Sequence, residues 1–149
     1  MSGILLTVTR PPRQRLDLSP LLPERLAGLT LEAIGAMTRL PNVIMPFPGG
    51  VVRSGSKIGS KYKGLPASTN DAFCPTLKAE TASKLPPEAA AVLEIVIDGL
   101  TAEDIAASMR AGIAAACSAG EAGGLLQITA GNNGGKLGQF KFHLRELMA

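Results

Sequence analysis

A strand, a helix and a strand, followed after a long loop by a second strand, helix and strand, predict an α/β fold. It is a ferredoxin-like α/β sandwich, an antiparallel sheet with two helices on one face. Three stretches carry the expectation. ILLTVT (4–9) is a β-branched run that stops at Arg10-Pro11-Pro12, where two prolines cannot continue a ladder. Leu26, Leu29, Ala33, Met37 and Leu40 recur at helical spacing. AVLEIVIDG (91–99) is the clearest strand, and it runs directly into TAEDIAASMRAGIAAACSAG.

The first helix follows Pro20 to Pro23 and begins near Glu24. Gly28 and Gly35 each weaken it by about 1 kcal/mol relative to Ala. Residues 42–45 and 51–53 read as extended, broken by Pro46, Pro48 and Gly49-Gly50. From Ser54 to about Pro87 there is little periodicity, and a loop of that length in a compact domain tends to be functional. Thr101 is the expected N-cap of the second helix, with Asp104 three residues on completing a capping box. Ile105, Met109, Ile113 and Cys117 form its narrow apolar stripe, and Gly120 its stop. LLQITA (125–130) is a further strand, and GNNGG (131–135) the turn after it. QFKFHL (139–144) alternates, with Phe140, Phe142 and Leu144 on one face, and predicts a last strand. The helices occupy one sheet face and leave the other for a partner, a ligand or solvent.

The 149 residues (1–149) make one lobe, with 46% hydrophobic and 18% charged residues, so the chain is neither disordered nor strongly polar. Aromatic residues are 3%, so the core is aliphatic. A net charge of +3, with Tyr62 the single aromatic of the basic stretch, argues against a nucleic-acid partner. Cys74 and Cys117 lack metal or CxxC spacing and read as buried or idle thiols of a reducing compartment. No apolar run approaches the roughly 20 residues that span a bilayer. The expectation is a soluble, cytoplasmic protein with no membrane partner.

Two features bear on chemistry. From Pro41 to Thr69 there is no acid, yet Arg53, Lys57, Lys61 and Lys63 stand among glycines and serines. Such a stretch is either a solvated loop or an anion-binding surface. Glu94 lies in mid-strand with Val92, Val96 and Asp98 on its face. It is either a solvated carboxylate on the exposed face or a semi-buried one, whose pKa burial would raise toward proton-transfer range. His143, the single histidine, lies between Lys141 and Arg145 and reads as exposed. With no second ligand there is no metal set. No GxSxG elbow supports a serine triad. GGKLG (134–138) lacks P-loop spacing and reads as a glycine-rich hairpin, with an anion cradle as the other reading.

FPGGVVRSGSKIGSKYKGLPASTNDAFCPT, EIVIDGL and ITAGNNGGKLGQFKFHLREL together resemble the formylmethanofuran:tetrahydromethanopterin formyltransferases, over residues 43–149 and in the same order. The likeness is to the C-terminal, distal lobe. The resemblance implies formyl transfer between methanofuran and N5 of tetrahydromethanopterin in one-carbon metabolism. It implies no metal and no tightly bound cofactor, with both compounds as cosubstrates. It also implies a cleft between lobes, a first lobe or another copy of the chain as partner, a homo-oligomer, and a formyltransferase/hydrolase complex in bacteria. Glu94 would be the catalytic carboxylic acid. Arg53, Ser54, Ser56, Lys57, Lys61, Lys63, Asn132 and Lys136 would bind substrate, the basic residues meeting an acidic, elongated tail.

The competing reading is a non-catalytic ferredoxin-like module that pairs through its open sheet face. An apolar residue would suit that role better than Glu94, because an unpaired buried carboxylate is costly. A basic RNA-binding domain is a third reading, against which the shortage of aromatics weighs.

Overall fold

The computed structural model describes residues 2–9, 22–53, 57–60, 62–64, 69–119, 124–130 and 140–149. The elements in order are β1 (Ser2–Thr9), α1 (Leu22–Met37), β2 (Val43–Ile44), β3 (Val51–Arg53), β4 (Ala89–Gly99), α2 (Ala102–Ala119), β5 (Leu125–Ala130) and a short α3 (Leu144–Leu147). β4 is the hub of the sheet. One of its edges pairs with β1, and the other pairs successively with β3 and β2; β1 in turn pairs with β5, all antiparallel. β2 and β3 thus act as one broken edge strand. The turn Pro48–Gly50 separates them. This order is the expected ferredoxin-like arrangement, with α1 and α2 as its two crossovers.

The helix face holds the main core. Ile95 and Ile97 of β4 pack there with Ala33 and Met37 of α1 and with Ile105, Met109 and Ile113 of α2. The helices meet closely at Gly112, where a Cβ would overlap the Met37 methyl carbon. Gly50 is required twice over. Its φ is +75°, a region that side chains disfavour, and a Cβ there would stand 2.8 Å from Ile34 Cδ1. The α2 start is the capping box expected. Thr101 Oγ1 accepts from the Asp104 N–H at 3.1 Å, and Asp104 Oδ2 accepts from the Thr101 N–H at 3.1 Å.

Four expectations need correction. Residues 140–143 form no strand, and the chain turns into α3 at Leu144. Their alternation is partly kept, because Phe142 and Leu144 still pack on the main core while Lys141, His143 and Arg145 are exposed. Periodicity reports which side is buried; it does not supply a strand to pair with. Second, Cys117 is exposed. Residues four apart drift about 40° round a helix of 3.6 residues per turn, so after three such steps Cys117 has left the stripe. Ala116, fully buried, holds the last core position instead.

Third, the sheet face away from the helices is not fully open. The segment after Thr69 folds into two short turns, Asp71–Phe73 and Pro75–Leu77. Phe73 and Leu85 from this segment pack with Ala89, Val92 and Leu126, covering one end of that face. Fourth, the described part of the expected loop from 69 to 87 is not merely aperiodic. Cys74 and Leu77 within it are buried. Lys78 clamps its end, donating from Nζ to the carbonyls of Pro86 and Pro87, both at 3.1 Å, and of Ala89 at 2.6 Å.

Candidate active site

Strand alternation places Glu94 on the face opposite the main core, in register with Val52 of β3 and Leu5 of β1. Val92, two residues before it on the same face, is buried under the covering segment, and Val96, two residues after it, is half-buried. Glu94 itself is half-buried, and desolvation pushes its carboxyl up from 4.5 to about 7. Of the two readings open in the sequence, the semi-buried carboxylate is the one the fold adopts. A group with this pKa holds and releases a proton near neutrality with little cost either way.

The same face carries two polar residues that sequence reasoning missed. Gln127 lies two strands from Val92 through Thr7, and Thr129 lies two strands from Glu94 through Leu5. Their side-chain atoms Gln127 Oε1 and Thr129 Oγ1 are buried without a hydrogen-bond partner among the described residues. A register irregularity puts them there. Val8 pairs with Leu125 whereas Thr7 pairs with Gln127, so Leu126 is an extra residue in β5. Leu125 and Ile128 pack on the helix side, and Leu126 packs on the opposite side. Plain alternation from Leu125 would have sent Gln127 and Thr129 into the helix-side core. The bulge turns them toward the face of Glu94.

The covering segment contributes Asp71. Its Oδ2 accepts from the Gly59 N–H at 3.4 Å, its backbone carbonyl accepts from Thr81 Oγ1 at 3.2 Å, and its Oδ1 is buried with no partner among the described residues. Asp71 therefore ties the basic stretch around Lys57 to the segment whose Phe73 rests on Val92, in the strand of Glu94. No spacing in the sequence marks Asp71 as a tether, since its partner is a backbone amide twelve residues away.

The remaining expected site residues are distributed unevenly. Lys57 and Lys63 are exposed. Arg53 belongs to β3 and pairs in register with Leu93, one step from the Val52–Glu94 pair. Ser54, Ser56, Lys61, Asn132 and Lys136 lie outside the described residues, as does the glycine-rich stretch 131–135. His143 is exposed, immediately before α3, and makes no side-chain capping bond there. Among the described residues no group of three or more His, Cys, Asp or Glu side chains is placed to hold a metal, and no helix is long and apolar enough to cross a membrane.

Fold and site define an antiparallel α/β lobe that carries, on one sheet face, a protonatable carboxyl group and two buried polar atoms with no partner among the described residues. Residues 24–147 match the family model described as "FTR, proximal lobe". The chain belongs to the formylmethanofuran:tetrahydromethanopterin formyltransferase family, and the expected label of distal lobe gives way to proximal. It is 72% identical over 117 residues to the formylmethanofuran–tetrahydromethanopterin formyltransferase of Methylococcus capsulatus, covering 78% of this chain and 39% of that protein. It is 49% identical over 116 residues to the enzyme of the same name from Methanopyrus kandleri, covering 77% of this chain and 37% of that one. Among solved structures it is similar to the formyltransferase/hydrolase complex of Methylorubrum extorquens in complex with methylofuran, with a TM-score of 0.76 and 47% identity over 99% of this chain and 44% of that one. The Methanosarcina barkeri formyltransferase is also similar, with a TM-score of 0.74 and 38% identity over 97% of this chain and 44% of that one. The chain thus spans about two-fifths of the length of the curated relatives it matches.

Proposed function

We propose that this lobe takes part in formyl transfer between formylmethanofuran and tetrahydromethanopterin, with Glu94 as the acid that moves the proton. The observation that carries the reading is the half-buried Glu94, raised to about 7 by desolvation, in a chain of this family. N5 of the pterin attacks the formamide carbon, and a tetrahedral oxyanion forms. The bond from carbon to the methanofuran nitrogen then breaks as that nitrogen takes a proton from the Glu94 carboxyl. The resulting carboxylate accepts the proton that N5 gives up, so the carboxyl is regenerated and atoms and charge balance. Backbone N–H groups of a glycine-rich loop would hold the oxyanion.

Arg53, Lys57, Lys61 and Lys63, with Ser54 and Ser56, would meet the carboxylate-bearing tail of methanofuran, and Asn132 and Lys136 would complete the substrate contacts. Lysines suit a flexible tail because each acts as a point charge without a fixed fork geometry. The tether from Asp71 to Gly59 supports this placement, because it anchors the basic stretch to the segment packed beside the Glu94 strand. The cleft would be completed by a preceding lobe or a second copy of the chain, in a cytoplasmic oligomer. In a bacterium that assembly would join a hydrolase complex, as in the Methylorubrum extorquens structure.

The test is formyl transfer by the purified chain, alone and mixed with the N-terminal portion of a full-length relative, following the formylated pterin. Transfer that Glu94→Gln abolishes is the expected result. Transfer undiminished in Glu94→Gln removes the acid from the mechanism. No transfer in either mixture, from folded protein, overturns the enzymatic reading. Charge reversal at Lys57 and Lys61 is expected to weaken formylmethanofuran binding, and unchanged affinity would remove the basic stretch from the site.

A further inference from the structure

We infer that Gln127 and Thr129 contact substrate on the Glu94 face, taking the amide edge of a ligand, an N–H beside a carbonyl. The inference rests on the formyl-transfer reading of the same face and adds two residues that lie outside the acid and the basic stretch. Three observations carry it. The first is the pair of orphaned atoms. Gln127 Oε1 and Thr129 Oγ1 are both buried and both unpartnered among the described residues. A buried polar atom left without a hydrogen bond opposes folding, so its retention calls for a partner. The second is position. On a strand, residues two apart lie roughly 6.5 Å from each other on one face, and a residue two strands away lies about 10 Å off. Gln127, Thr129 and Glu94 therefore border a single patch of molecular size across β5, β1 and β4.

The third observation is the bulge. Were Leu126 paired in plain alternation instead of bulged, both polar side chains would fall on the helix side among Leu125, Ile97 and Met109, where they would be far harder to satisfy. A bulge commonly re-aims side chains next to a site. Here it brings two hydrogen-bonding groups onto the face that holds the acid and keeps leucine and isoleucine in the core.

The chemistry of the pair selects the ligand group. The orphaned amide oxygen of Gln127 accepts a hydrogen bond, and the Thr129 hydroxyl can donate or accept one. Together they match a neutral edge with adjacent N–H and C=O groups. Both substrates of the proposed reaction carry one: the formamide of formylmethanofuran, and the lactam edge of a pterin ring. Neither group is charged, which distinguishes this patch from the exposed lysines that would take carboxylates.

The decisive measurements read the wild-type protein first. With the chain isotopically labelled, in whichever mixture transfers formyl groups, the side-chain amide resonances of Gln127 are followed by NMR on addition of formylmethanofuran or of tetrahydromethanopterin separately. A saturable shift with one of them is expected, and it identifies which amide edge is bound. The variants Thr129→Val, Gln127→Leu and Thr129→Ser are then compared. Thr129→Val and Gln127→Leu are expected to keep or raise thermal stability, because each replaces an unpaired polar group. Each should lower the affinity for that substrate about tenfold or more, the cost of one lost hydrogen bond. Thr129→Ser restores the hydroxyl and should restore binding. A purely structural role, or satisfaction by a buried water, predicts no Gln127 shift and unchanged affinity in the apolar variants, and either result overturns the inference while leaving formyl transfer standing. A wild-type mixture that neither binds nor transfers would sink the formyl-transfer reading and this inference together.

Discussion

The Lys78 ammonium donates to the carbonyl of Ala89 at 2.6 Å, and so fastens the covering segment to the first residue of the strand that carries Glu94. Two further carbonyls, of Pro86 and Pro87, share the same ammonium. One cation thus closes an eleven-residue excursion over the Glu94 side of the sheet.

Lys78→Met keeps the aliphatic stem and removes the donor. It should destabilise the protein by about 1.5–3 kcal/mol, the range for hydrogen bonds to a charged group. Chemical denaturation measures the loss, and hydrogen exchange should show it concentrated over residues 71–89. Unchanged exchange there would mean that Phe73 and Leu85 hold the segment by packing alone.

Glu94 makes stability fall as pH rises. Below pH 4.5 the carboxyl is protonated in both folded and unfolded chains. Between 4.5 and about 7 the unfolded chain has lost the proton that the folded one retains, so stability declines across this window and levels off above it. At 1.36 kcal/mol per pKa unit the decline is of order 3 kcal/mol. Glu94→Gln should remove the slope and be more stable than the parent at pH 8, and under the proposed mechanism it should lose formyl transfer. Denaturation midpoints at pH 5 and pH 8 for both proteins decide the matter, and parallel curves would show that Glu94 is solvated.

Gly112→Ala should destabilise, although alanine is the better helix former by about 1 kcal/mol. The added methyl meets Met37, which is fully buried and has no exposed direction in which to retreat. Overpacking of this kind costs about 1–3 kcal/mol. The double variant Gly112→Ala with Met37→Val should recover part of the loss, and a simple sum of the two single effects would disprove the contact.

Asp104 stabilises the start of α2 in the opposite pH sense to Glu94. Hydrogen bonding, first from the Thr101 side chain and also from Asn42 and the Thr101 backbone, lowers its pKa. Its contribution is present above the unfolded value and is lost as pH falls through the lower folded one. Thr101→Ala should lower the thermal midpoint by a few degrees at pH 7, and the deficit should shrink under acid conditions.

Periodicity and punctuation determined much of this protein. The stripe through Leu29, Ala33 and Met37 and the alternation of Ile95 and Ile97 announced which faces are buried, and Thr101 with Asp104 marked where α2 begins. Those features depend on residues a few positions apart, which a linear sequence displays directly. The sequence also singled out Glu94, by placing a carboxylate between two valines, but left its environment open. Burial belongs to the whole fold. Val92, two residues before Glu94 on the same face, is buried only because Phe73 and Leu85 arrive from a distant segment to cover that end. The last strand was misread because Phe142 and Leu144 do turn inward, while strand formation needs a partner edge that alternation does not provide. Gln127 and Thr129 were hidden for a related reason. One extra residue in β5 reverses the sense of every side chain after it, and only the register against β1 reveals that reversal.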